Sequence, residues 1–194
     1  AQETENGTQA VALDENVTAA DLGVSESTIL PDSPFYFFKN LGRPIRSALT
    51  LDPVKKAELR GKFANEKLIE LKKMAEKTKN HEVLKKATEN YRKEVEKVKN
   101  AVDKIKDNAS SSDAVGKFLD KFIQHQTLQQ RILQKLETQV STTTMKKIKE
   151  AREQHLEKFG EVMNKLDNKE NIRQRLEKNL EEMKGSEFKD FKNL

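Results

Sequence analysis

Three histidines, two glutamines and a run of serines are the first places in this chain to look for chemistry. A zinc site on a helix needs ligands three or four residues apart on one face. His81 has Leu84 and Lys85 at those positions, His125 has Leu128 and Gln129, and His155 has Ala151, Arg152 and Phe159. No carboxylate joins any of the three, so no metal or other cofactor is expected. Ser110, Ser111 and Ser112 could supply a nucleophile only if a histidine and an acid converged on them, and no flanking motif arranges that. A calcium loop and a glycine-rich phosphate loop are both missing. The acids sit among lysines and not in an apolar cleft, which argues against paired-carboxylate catalysis. The expectation is a non-enzyme.

What the sequence does offer is a buried polar layer. Val115, Leu119, Phe122, Gln126, Gln129, Leu133, Leu136 and Val140 alternate in steps of four and three, the stripe of a helix over 112–140. A second stripe, Met145, Ile148, Ala151, His155, Phe159, Val162 and Leu166, marks a helix over 145–166, with Ser141 to Thr144 as the turn. In an antiparallel hairpin about that turn, facing residue numbers sum to about 285. His155 then faces Gln129 and Gln130, and His125 faces the region of Gly160. Gln126, Gln129 and His155 form the expected layer, a device that fixes register at some cost in stability.

The elements that would position this layer begin at Asp52–Pro53, a cap followed by a first-turn proline. Ala57, Gly61, Ala64, Leu68, Leu71 and Ala75 give a stripe of mostly small residues on a helix over 53–77, against which a partner could pack closely. Leu84, Ala87, Tyr91, Val95, Val98, Val102, Ile105 and Ala109 give the partner, over 81–108. Asp167 with Glu170 reads as a capping box for a helix over 168–184, followed by a short C-terminal turn. The fold class is all-α: an antiparallel bundle of long helical hairpins over 52–194, with an extended acidic arm over 1–30.

Between arm and bundle, residues 31–51 read as an aromatic and basic amphipathic helix, kinked near Pro44. Phe38, Leu41, Ile45 and Leu49 share a face. Phe35, Tyr36, Phe37 and Phe38 with Lys39, Arg43 and Arg46 are the candidate contact residues. They read either as a plug at one end of the bundle or as a foot on an anionic surface.

Charge separates the chain into two parts. Residues 1–32 hold seven acids and no lysine or arginine, while the other 25 acids share the remainder with all 37 bases. An acidic arm therefore precedes a basic body. Only eight of those bases are arginine, whose forked donors dominate phosphate and base recognition, so nucleic acid is an unexpected partner. Cysteine is absent, which removes disulfides and thiolate sites. No apolar run reaches the roughly 20 residues of a spanning helix. The start at Ala1 followed by polar residues fits an exported chain whose signal peptide has been removed.

The string from Leu30 to Leu71 resembles a bacterial domain-of-unknown-function family numbered 5667. Leu30, Pro31, Ser33 and Pro34 match its start, Asp52 and Pro53 its turn, and Lys56, Ala57, Glu58, Leu59, Ala64 and Leu68 the helix that follows. The hairpin from His125 to Leu166 is similar to the family's second half, with a threonine-rich turn in place of a Pro-Glu-Glu type. The resemblance implies an exported helical protein and carries no activity or binding residue with it. The leading expectation is an extracytoplasmic or secreted protein acting by binding another protein or an envelope component, with possible peripheral contact to an anionic surface. The alternatives are a ligand or metal sensor using the polar layer, and electrostatic binding of polyanions by the basic body.

Overall fold

A computed structural model of the chain describes residues 16–26, 29–34, 36–106 and 112–181. The fold is all-α: six helices packed as a bundle, with no strand among the described residues. They are α1 (Tyr36–Leu49), α2 (Pro53–Lys77), α3 (His81–Val102), α4 (Asp113–Gln139), α5 (Thr142–Leu166) and α6 (Lys169–Glu181).

Local chemistry sets the helix starts. Asp52 accepts from the Lys55 amide at 2.9 Å, with Pro53 behind it where a missing N–H costs nothing. Asn80 accepts from the Glu82 and Val83 amides, and Ser112 from Val115. Two starts differ from expectation. Helix α5 begins at Thr142 and not 145, because the Ser141 carbonyl already accepts from the Met145 amide and three threonines fit in a first turn. At α6 the cap is Asn168, accepting from the Asn171 amide at 2.9 Å; Asp167 instead holds Arg175 at 2.8 Å.

Helix α3 ends at Val102, short of the expected 108. Turn bonds at Lys104 and Ile105 swing the chain inward so that Ile105 reaches the core. Helix α1 runs through Pro44 as one helix, and Pro44 lies on its exposed side, where water can serve the carbonyl the proline leaves free.

One hydrophobic cluster joins α2, α3, α4 and α5. Phe122 stacks between Phe118 and Phe159 at ring-centre distances of 5.5 and 5.7 Å. Gly61, placed by its spacing on the close-packed stripe of α2, meets no atom within 4 Å of where a Cβ would stand. It lines an opening instead.

The N-terminal segment is part of that core. Residues 19–23 form a turn, closed by Thr18 and Asp21 and by Gly23 in a left-handed conformation (φ 64°), which a residue with a Cβ adopts only at a cost. Val17, Ala19, Leu22 and Val24 are all buried in the cluster. Three lysines of α2 secure the segment's polar edge: Lys72 to the Val17 carbonyl, Lys73 to Glu26 and Lys77 to Asp32. Among the described residues no helix is long and apolar enough to cross a membrane.

Candidate functional site

Gln126, Gln129 and His155 are all buried, and hydrogen bonds link Gln129 and His155 to residues of other elements. Asn65 of α2 lies fully inside the bundle, and its amide nitrogen has two hydrogens. One goes to the Leu22 carbonyl of the N-terminal turn at 2.8 Å and the other to Nδ1 of His125 at 3.0 Å. Its oxygen accepts from Nε2 of Gln129 at 2.5 Å. The Gln129 oxygen in turn accepts from the Tyr91 hydroxyl at 2.8 Å. That hydroxyl also lies 2.8 Å from Nδ1 of His155, whose Nε2 is 3.1 Å from the Gln126 carbonyl. A continuous polar chain thus crosses the core from Leu22 to Gln126, through α2, α4, α3 and α5. Gln126 contributes its backbone and not its side chain.

Donation is set from the two ends of this chain and conflicts where they meet, at Tyr91, whose single proton faces two acceptors. Both ends are backbone carbonyls, which only accept. Five links must be filled, and with His155 neutral the two amides, the phenol and the imidazole supply one proton each, leaving one link short. Protonation of His155 would complete the chain, but burial lowers its pKa to about 4, with Arg152 adding to that and the Gln126 carbonyl opposing it. The Tyr91 phenol is driven by burial well above its ordinary value and keeps its proton. Burial, aided by the charge of Lys121, also lowers His125 to about 4, so both imidazoles are neutral at pH 7. His125 does not face Gly160: it lies between Asn65 and Gly23.

The chain opens at its Asn65 and His125 end on a cleft of about 430 Å³, bounded by the N-terminal turn, the end of α1, α2 and α4. Its lining includes Leu22, Phe118 and Phe122 beside the cations of Arg46, Lys55, Lys62 and Lys121. No group of three or more metal-ligating side chains occurs among the described residues.

Helix α1 divides its residues between two tasks. Tyr36 donates to Glu70 at 2.6 Å and accepts from Lys67 at 2.5 Å, and Lys67 also reaches Glu70 at 2.9 Å. Arg43 reaches Glu66 at 2.5 Å and lies over the Phe63 ring. Tyr36 and Arg43, both expected at a contact surface, therefore anchor α1 to α2, because Glu66 and Glu70 stand one turn apart there. Arg46 remains exposed. Phe35 and the side chains of Phe37, Phe38 and Lys39 lie outside the described residues. The outward face carries Leu41, Ile45, Leu49 and, just beyond, Leu51, from 54% to 87% exposed.

The family model for Domain of unknown function (DUF5667) matches residues 28–171. The chain belongs to that family. The DUF5667 match spans the anchored α1, the polar chain from Asn65 onward and most of the cleft, while the N-terminal turn with Leu22 precedes it. No curated protein and no solved structure matches the chain.

Sequence reasoning missed Asn65, Tyr91 and the position of His125. The apolar stripe of α3 includes Tyr91 by spacing alone, and its hydroxyl is the signal that sets it apart. Asn65 sits directly beside Ala64 of the α2 stripe, so a polar residue flanking a narrow buried face was the available clue.

Proposed function

We propose that this DUF5667 protein is a non-enzymatic helical-bundle protein that binds an anionic envelope surface through α1. In this reading the bundle is two long antiparallel hairpins that carry α1 as a foot, and the surface lies outside the cytoplasm, as the family resemblance implies. The supporting observation is the exposed row of Leu41, Ile45 and Leu49, one helical turn apart, continued by Leu51. Large apolar side chains in such a row are costly to leave in water, about 1.5–3 kcal/mol each when fully withdrawn from it.

Charge supports the same surface. One flank of α1 carries Arg46, Lys55, Lys62 and Lys121; the other is a groove lined by Lys56, Arg60, Lys97 and Lys104. A basic residue near an anionic leaflet contributes about 1 kcal/mol. Apolar insertion and charge are therefore comparable, and each is needed to hold a soluble bundle at a membrane. The ion pairs of Arg43 with Glu66 and Glu70 keep α1 oriented with its apolar row outward.

Co-sedimentation with vesicles tests this directly. The protein should pellet with vesicles containing anionic lipid and stay in the supernatant with purely zwitterionic ones. Equal recovery with both, or with neither, overturns the proposal.

A further inference from the structure

We propose that the cleft between the N-terminal turn, α2 and α4 is a binding site for an amphipathic anion, an acyl chain bearing one carboxylate or phosphate head. This ligand site shares its cations with one flank of α1 but does not use the outward apolar row of α1, so the two readings are separated by substitutions in that row.

Size and lining come first. At about 430 Å³ the cleft lies within the roughly 300–1,000 Å³ typical of small-ligand sites. Half-buried Leu59 and the edges of Phe118 and Phe122 give it an apolar wall, while Leu22, which borders it, has no exposed surface. Half-buried His125, held by Asn65 behind it, puts a polar spot on the same surface. Asn65 donates to Nδ1 of His125, so in the neutral ring the proton resides on Nε2, which has no hydrogen-bond partner among the described residues. His125 is thus a spare donor set beside apolar side chains.

Charge then selects the ligand. Arg46, Lys55, Lys62 and Lys121 line the cleft, and none has an ion pair among the described residues; Glu58 is the one acid in the lining. Elsewhere on α2, Arg60, Lys67, Lys73 and Lys77 are matched to carboxylates, while Lys56 is not among the described residues. Four unmatched cations around an apolar wall hold a positive potential that an anionic head would neutralise.

Gly61 is the third observation. A glycine inside a helix is less favourable than alanine, and here neither a positive φ nor a close neighbour calls for it. Its effect is space, since it lines the cleft where any side chain would project into it.

Isothermal titration calorimetry of the full chain with dodecanoate, dodecyl phosphate and dodecyltrimethylammonium, each below its micellar concentration, tests the site. One equivalent of at least one anion should bind and the cationic amphiphile should not; which anion binds identifies the head. Gly61→Phe, which fills the cleft and leaves every charge in place, should abolish binding, with far-UV circular dichroism verifying the fold. Lys62→Gln with Lys121→Gln should weaken it at least tenfold. Leu41→Ser with Ile45→Ser should leave it unchanged, which separates the cleft from the α1 face. Equal binding of the cation, unaltered affinity in folded Gly61→Phe, or no binding of either anion overturns the proposal.

Discussion

The Tyr91 hydroxyl and Nδ1 of His155 lie 2.8 Å apart in a fully buried site, and with His155 neutral the single phenolic proton must serve both this contact and Gln129. The direction of donation, set at the Leu22 carbonyl, arrives at this pair and stops there. The two rings stack at 29° with centres 6.5 Å apart, so packing holds the contact even where a proton is short.

Tyr91→Phe should cost about 1–3 kcal/mol, because the Gln129 oxygen and Nδ1 of His155 lose the one hydroxyl that serves them while the ring stays packed. Urea denaturation should show a lower midpoint at an unchanged slope. An unchanged midpoint would mean that the contact contributes nothing net to stability.

Acid should weaken the fold before its carboxylates titrate. His125 and His155 are held at about 4 in the folded chain against an ordinary value of 6.5, so the unfolded chain binds more protons between those limits. Their contribution is whole above pH 6.5 and is lost as the pH falls toward 4, by roughly 3 kcal/mol for each ring. The lowered carboxylates, Glu26 and Glu150 among them, lose their contribution only at lower pH still. Urea midpoints measured between pH 7.5 and pH 5 should therefore decline, and His125→Gln should flatten part of that decline. A flat profile would show that the imidazoles do not remain neutral.

Much of this architecture could be read from spacing alone. The α2 boundaries at 53 and 77 follow from a cap, a proline and a regular stripe, all local signals. The Gln126, Gln129 and His155 stripe positions were visible because a 4-3 repeat counts residues whatever their polarity. The links between them were not, since Asn65, Tyr91 and the Leu22 carbonyl meet through packing across four segments that no repeat relates. The N-terminal turn was hidden for a similar reason: Val17, Ala19, Leu22 and Val24 lack a helical period, and their burial depends on the groove that receives them. Helix α1 showed its apolar face plainly, but which way that face points depends on Glu66 and Glu70, which belong to another helix.

Gly61→Ala should stabilise the protein by roughly 0.5–1 kcal/mol, since the new methyl meets nothing within 4 Å and the helix gains a better former. A thermal melt is sufficient to check it. A lower melting temperature would mean that the cleft closes on Gly61 in solution.

The α1 foot makes its own prediction. Leu41→Ser, Ile45→Ser and Leu49→Ser together should release the protein from anionic vesicles without lowering its melting temperature, because these side chains are exposed in the free protein. A fall in melting temperature would place that face inside an assembly instead.

Docking of the N-terminal turn should depend on burial and not on charge. Leu22 has no exposed surface, and cutting it to alanine should cost about 2–5 kcal/mol, the range for a large aliphatic residue lost from a core. The pair of Lys73 with Glu26 is solvent-facing, where such pairs contribute about 0–1 kcal/mol and are screened by salt. Lys73→Ala should therefore leave the turn in place, as should sodium chloride near 1 M, while Leu22→Ala should open it. Hydrogen exchange over residues 16–26 distinguishes these cases: protection that survives salt and is lost in Leu22→Ala fits apolar docking. Protection lost in salt would instead make the acidic segment an electrostatic clasp, free to yield to any competing polyanion.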